Sequence, residues 1–273
     1  MSRKTVSLLG CGAIGANLAQ AIDNGDAGNT SIGAIFDGIR SKAVVLSDGL
    51  KTKPFVAHDM DSLLGLDADL VVESASQDAI RSFGIRIVES GKDLMVMSVG
   101  ALLDDVLRDR LYQIAAAKKR KIIIPTGAIA GIDALKACSG KISAVKLVTR
   151  KRPNALTGAP FFEINKIDLN SITKETVLFE GPAVDAVKLF PSNVNVAAIL
   201  SLAGIGKEQT KVVVIADPET KTNSHKITVT GDFGEFIVQM NNIPHPQNQG
   251  TSYLAVLSAI EAIRIYGSED RVW

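Results

Sequence analysis

With 273 residues, 46% of them hydrophobic, the chain can bury a substantial core and is long enough for two domains. Its 30 basic residues stand against 29 acidic ones, a balance that argues against a nucleic-acid or membrane-surface partner. No apolar run reaches the roughly 18 residues of a membrane span. The start, Met1-Ser2-Arg3-Lys4, lacks a signal-peptide apolar region, and Cys11 and Cys138 are far apart, as expected of reduced thiols in a cytoplasmic protein.

The first 125 residues alternate between two patterns. Strands are predicted at 6–9, 32–36, 55–57, 70–72, 94–98 and 122–124, and helices at 13–24, 77–89 and 104–118. The later strands are apolar on consecutive rather than alternate residues, the mark of parallel strands covered on both faces. A Rossmann-type, doubly wound α/β sheet of about six strands is expected.

Between the first strand and the first helix lies Gly10-Cys11-Gly12-Ala13-Ile14-Gly15. Gly10 permits a sharp turn, Gly12 lets a pyrophosphate approach the backbone, and Gly15 lets the helix sit close to the strand. Ala13 and Ile14 open a helix whose free N–H groups and positive dipole end suit phosphate. The strand-before, helix-after context makes this a dinucleotide-binding signature. Asp37, at the end of the second strand, is placed to accept from an adenosine ribose, which favours NAD. Arg40 and Lys42 follow at once and leave NADP open.

The tips of the later strands, Glu73-Ser74-Ala75-Ser76, Ser98-Val-Gly-Ala101 and Pro125-Thr-Gly-Ala128, are small or hydroxyl-bearing. At the carboxyl ends of a parallel sheet such residues leave room for a flat cofactor. Ser74, Ala75 and Ser98 are therefore cofactor-groove candidates; Glu73 is left without a role.

After Pro125 the pattern changes. A short helix at 132–137 precedes strand-like stretches at 144–149, 175–179, 211–216, 226–230 and 235–240, with helices at 182–190 and 194–203 among them. This order suggests a second, smaller α+β domain with a mixed sheet. A proline-bearing loop leads to a last helix at 251–265, whose apolar stripe of Leu254, Leu257, Ile260 and Ile263 is expected to return to the first domain. The expected division is 1–124 plus 246–273 for dinucleotide binding, and 125–245 for substrate binding, catalysis and dimerisation.

The run Pro125-Thr-Gly-Ala-Ile-Ala-Gly-Ile-Asp-Ala-Leu135 resembles the L-aspartate dehydrogenases. The similarity continues through Val71-Val-Glu-Ser-Ala-Ser76, Arg150-Lys-Arg-Pro153, Phe179-Glu-Gly181, Leu189-Phe-Pro-Ser-Asn-Val-Asn-Val-Ala197, Ile215-Ala-Asp-Pro218 and Asn223-Ser-His225. The resemblance implies a Rossmann domain joined to a mixed α/β domain, usually as a homodimer. It further implies oxidation of L-aspartate by NAD or NADP to iminoaspartate, which hydrolyses to oxaloacetate and ammonia or feeds nicotinamide-cofactor synthesis. Carried over residue by residue, the family's catalytic histidine falls on His225, and its nicotinamide-proximal contacts on Ala128 and Asn195. The family often has two prolines after the basic residue at Lys151; here Arg152 replaces the first.

The reaction removes a hydride from Cα and a proton from the amine, so a group titrating near neutrality suits it. Among the three histidines, His225 leads; His58 reads as a surface residue and His245 as part of a structural loop. A dicarboxylate substrate needs paired cationic or amide donors. Lys151, Arg152 and Asn193 are the substrate candidates, with Asn193 also suited to capping the helix predicted at 194–203. No ligand spacing for a metal is visible, and no Gly-x-Ser-x-Gly elbow of a hydrolase. Two alternatives remain open: another amino-acid, imine or semialdehyde oxidoreductase of this architecture, and a non-catalytic nicotinamide sensor.

Overall fold

The computed structural model describes residues 3–191 and 195–268, which fall into two compact units, 1–125 with 256–273, and 126–255. Unit one is built on a six-stranded parallel sheet of β1 (Lys4–Leu9), β2 (Thr30–Phe36), β3 (Phe55–Val56), β4 (Leu70–Glu73), β5 (Asp93–Val96) and β6 (Ile122–Ile123). The spatial order is β3-β2-β1-β4-β5-β6, so the chain reverses direction across the sheet between β1 and β4. β4 and β5 are buried at every residue, which explains their unbroken apolar character.

The connecting helices are α1 (Ala13–Asn24), α2 (Arg40–Gly49), α3 (Met60–Leu64), α4 (Gln77–Glu89) and α5 (Asp105–Lys118). α1 stops at Gly25, whose left-handed backbone lets its N–H reach the Ala21 and Ile22 carbonyls. Side-chain oxygens of Ser76 and Asp104 accept from Ala79 N and Leu107 N and so start α4 and α5. α2 and α3 were not expected from the sequence. α2 buries only Ala43 and Ser47, so it carries almost no apolar stripe to read.

In unit two the elements are α6 (Ile132–Ala137), β7 (Ile142–Lys151), α7 (Pro160–Ile164), β8 (Thr176–Pro182), α8 (Ala183–Leu189), α9 (Asn195–Ala203), β9 (Thr210–Ala216), β10 (Asn223–Gly231) and β11 (Gly234–Asn242). The sheet order is β11-β10-β7-β9-β8, with β7 and β9 parallel and every other pair antiparallel. On β7, Val145, Leu147, Thr149 and Lys151 alternate onto the buried face, and on β10 Asn223, His225, Ile227 and Val229 do the same. The same buried stripe that forms the core therefore carries polar side chains at one end.

The chain then forms a small hairpin, β12 (Pro244–His245) with β13 (Asn248–Ser252), before α10 (Tyr253–Tyr266). Here the expected division at residue 246 shifts to 256. Lys151 Nζ donates to the Gly250 carbonyl and Asn223 Nδ2 to that of Gln249, tying the hairpin to unit two. Beyond it, α10 packs on the core of unit one through Ala259 and Ile263, with Ile260 and Tyr266 against the same cluster. The expected stripe holds at Ile260 and Ile263 but not at Leu257, which is exposed; Val256 and Ala259 are buried instead. Burying one Ile or Val side chain contributes about 1.5–3 kcal/mol, so Val256 and Ile263 each favour docking of the helix. Among the described residues, no helix is long and apolar enough to cross a membrane.

Candidate functional site

In unit one, β1 ends at Leu9 and the chain turns through Gly10 at φ +105°, a conformation open to glycine. A Cβ on Gly10 would stand 2.7 Å from the Ser74 backbone, and one on Gly15 would stand 2.0 Å from the Gly10 carbonyl oxygen. Neither position can carry a side chain without moving the backbone. At Gly12, in contrast, a Cβ would meet nothing within 4 Å. Gly12 precedes α1 and supplies no side-chain cap, so the first N–H groups of the helix, including those of Ala13 and Ile14, lack intrahelical acceptors. Open space beside an uncapped helix start fits a dinucleotide's pyrophosphate.

The loop is braced from two neighbouring strands. Ser74 Oγ donates to the Gly10 carbonyl at 3.0 Å, and Asp37 accepts from Cys11 N and Ile39 N, each at 2.8 Å. Each Asp37 oxygen retains a second lone pair, the acceptor a ribose hydroxyl would use. Burial, reinforced by Asp37, pushes the Cys11 thiol up to about 12, which makes it inert as a nucleophile at neutral pH.

Glu73 proves to be the organiser of the strand tips. It is fully buried, and its carboxylate accepts from Ala75 N (2.8 Å), Ser98 N (3.0 Å) and Ser98 Oγ (2.8 Å). Burial raises its pKa, and these donors pull the other way. The Ser98 hydroxyl and N–H are both engaged by this carboxylate, and Ala75 leaves only an exposed methyl group at the tip.

In unit two, the β7–β10 register sets His225 opposite Thr149, and Met240 of β11 lies on the other side of His225. His225 Nδ1 lies 3.1 Å from Thr149 Oγ1. The imidazole is 2% exposed; burial first, and the Lys151 cation second, hold its pKa down to about 3. Lys151 is 3% exposed, and burial brings its ammonium down to about 8. The result is a neutral imidazole beside a buried cation, set among Thr149, Asn223 and Asn242, all themselves buried. The arrangement can pair with a carboxylate through Lys151, while the imidazole lies well below the near-neutral titration expected from the sequence, because burial and the Lys151 cation both oppose a proton on the ring.

The other expected residues fall as follows. Ala128 is buried, and its carbonyl accepts from Asn242 Nδ2 at 2.9 Å. Asn195 opens α9 and is half-buried. Arg152 is exposed, its Nε donating to the Thr220 carbonyl at 2.6 Å. It lines a cleft of about 410 Å³ together with Lys221, Thr222, Asn223, Ile243 and Gln249. Asn193 lies outside the described residues. His58 is exposed, whereas His245 is buried in β12 and its Nδ1 accepts from Gln247 N. Thr149, Asn223 and Asn242 were missed as members of this cluster. The signal was available for two of them: strict alternation continues the Val145–Leu147 face to Thr149, and the Ile227–Val229 face back to Asn223.

A doubly wound parallel sheet with a glycine cradle at its first helix defines the dinucleotide-binding class of proteins. Comparison with known proteins narrows this. The model of the homoserine dehydrogenase NAD-binding domain matches residues 10–125, and that of the aspartate dehydrogenase C-terminal domain matches residues 133–266. The chain is 48% identical to an L-aspartate dehydrogenase of Methanosarcina barkeri over 95% of both chains, and 42% identical to one of Nitrosopumilus maritimus over 98% of both. A crystal structure of aspartate dehydrogenase from Thermotoga maritima aligns with a TM-score of 0.74 at 25% identity, covering 99% of each chain. The chain belongs to the L-aspartate dehydrogenase family.

Proposed function

We propose that this protein oxidises L-aspartate to iminoaspartate, with NAD or NADP as hydride acceptor; the imine then hydrolyses to oxaloacetate and ammonia or enters nicotinamide-cofactor synthesis. The nicotinamide, when bound, takes the hydride from the substrate Cα. The backbone at Gly10, Gly12, Ala13, Ile14 and Gly15 would hold the pyrophosphate, and Asp37 the adenosine ribose. Ser74, Ala75 and Ser98 would floor the groove, and Ala128 and Asn195 would flank the nicotinamide. Asp37 favours NAD, and Arg40 and Lys42 are the cations that would admit a 2′-phosphate.

His225 takes the amine proton as the C–N bond gains double-bond character, and Lys151 and Arg152 pair with the two carboxylates. The observation that carries this reading is the buried, neutral His225 imidazole beside the buried Lys151 ammonium. The neutral ring offers a lone pair toward the amine, and a substrate carboxylate paired with Lys151 would offset the cation that, after burial, holds the ring's pKa far below the near-neutral value expected of a base. We place the reaction in the cytoplasm, where Cys11 and Cys138 stay as the free thiols seen here. The open face of the five-stranded sheet, opposite His225, exposes Val177 and Ile237 and would pair with a second copy in a homodimer.

The test is a substrate and cofactor panel on the purified protein, followed by the absorbance of reduced nicotinamide. Turnover of L-aspartate far above L-glutamate and L-alanine is expected, with NAD preferred. Comparable turnover of all three amino acids would remove the aspartate assignment, and cofactor binding without any absorbance change would mark a sensor.

A further inference from the structure

The identity of a proton-handling histidine leaves open what decides which of its nitrogens carries the hydrogen. A neutral imidazole has two tautomers, and only one leaves a lone pair on the nitrogen that meets the substrate. On the buried face of the five-stranded sheet, His225 has two lateral neighbours, Thr149 on β7 and Met240 on β11. A thioether is a weak acceptor, so Thr149 is the polar partner in that row. Its hydroxyl is 3.1 Å from Nδ1, its side chain is buried, and its β-branch on a strand restricts rotation about χ1. The Lys151 cation two residues further along the same face opposes a second proton on the ring. The ring is therefore held neutral, and the tautomer becomes the quantity to set.

We propose that Thr149 is the positioning residue for this reaction: its hydroxyl oxygen receives the Nδ1 hydrogen of His225, fixing the ring's orientation and leaving Nε2 as the base. This rests on the reading of His225 as the group that takes the amine proton. Thr149 itself touches neither substrate nor cofactor in this scheme; it acts through the imidazole.

The protein has three histidines, so ¹⁵N-histidine labelling resolves each ring, with His225→Ala assigning the signal. Near neutral pH the wild-type His225 is expected to show a protonated Nδ1 and an unprotonated Nε2. Thr149→Val keeps size and branching while removing the hydroxyl. It is expected to move both nitrogen signals toward a tautomer average and to lower kcat about 10- to 100-fold, with the KM for NAD unchanged. Thr149→Ser, which keeps the hydroxyl, is expected to restore the wild-type signals and most of kcat. An unprotonated Nδ1 in the wild type, or a Thr149→Val protein with wild-type kcat and unshifted signals, would overturn the proposal. Should Thr149→Val fail to fold, the wild-type spectrum and Thr149→Ser still decide. Full turnover by His225→Ala would instead overturn the reading of His225 beneath it, whatever the Thr149 variants do.

Discussion

The glycine cradle of unit one and the polar row of unit two are built on opposite principles. The cradle is made of backbone: what matters at Gly10 and Gly15 is the absence of a side chain, and its bracing bonds run largely to main-chain groups. The polar row is made of side chains whose backbones do ordinary strand pairing; Thr149, Lys151, Asn223 and His225 become a site only because two strands align. The first kind of site is local in sequence and sterically unforgiving. The second depends on strand register, and its energetics are dominated by desolvation.

The largest expected effect strikes the cradle. Gly15→Val puts a branched side chain where even a Cβ meets the Gly10 carbonyl, and is expected to destabilise the fold by several kcal/mol and abolish cofactor binding. Gly12→Ala sharpens the point, because its Cβ enters open space. It should keep the wild-type Tm while weakening NAD at least about tenfold, since the methyl occupies the room a pyrophosphate needs. Thermal unfolding and cofactor titration check both; a normal NAD affinity in Gly12→Ala would detach the cofactor from this loop.

Lys151→Met tests the opposite principle. The folded pKa of about 8 lies below the ordinary 10.5, so the unfolded chain binds more protons between those values and stability rises with pH across that window. Below about pH 8 the folded protein carries the full cost of a buried ammonium. The methionine variant is thus expected to gain about 1–3 kcal/mol near pH 7, with the gain disappearing above about pH 10.5. If Lys151 pairs with a substrate carboxylate as proposed, the variant's KM for L-aspartate should rise about tenfold or more through loss of that charge-assisted bond. Melting curves across pH and steady-state kinetics separate the two effects; a lower Tm at pH 7 would show that the lysine stabilises the fold.

The smallest expected effect is one of selectivity. Asp37→Ala removes both the bracing bonds to Cys11 N and Ile39 N and the acceptor for the ribose, so NAD affinity should fall about tenfold and NADP affinity by less. Equal losses for the two cofactors would show that Asp37 serves the loop alone.

Legibility in the sequence followed the same contrast. Gly10-Cys11-Gly12-Ala13-Ile14-Gly15 announced its loop because steric permission is a property of individual residues. α2 went unseen because a solvated helix has little periodicity to detect, and the hairpin at 244–252 because its strands are too short to alternate. The buried stripe of α10 was only half read, with Ile260 and Ile263 placed but Leu257 wrong, because many of its residues are apolar and periodicity does not single out one face. Glu73 was visible as a residue but not as a brace, since its partners at Ser98 come from the next strand.

By itself, then, the sequence determined the doubly wound sheet with its glycine loop and the mixed second domain, while His225 came from the resemblance to the L-aspartate dehydrogenases. The sheet, the loop and the second domain depend on side-chain size, backbone freedom and short-range periodicity, each of which is written into neighbouring residues. Only the tertiary structure decided that Lys151 is buried beside His225, that Thr149 faces the imidazole across 76 positions of chain, and that the hairpin before α10 belongs to unit two. Burial and strand register are relations between distant segments, and desolvation, which sets the charge state of His225 and Lys151, exists only once those segments have packed.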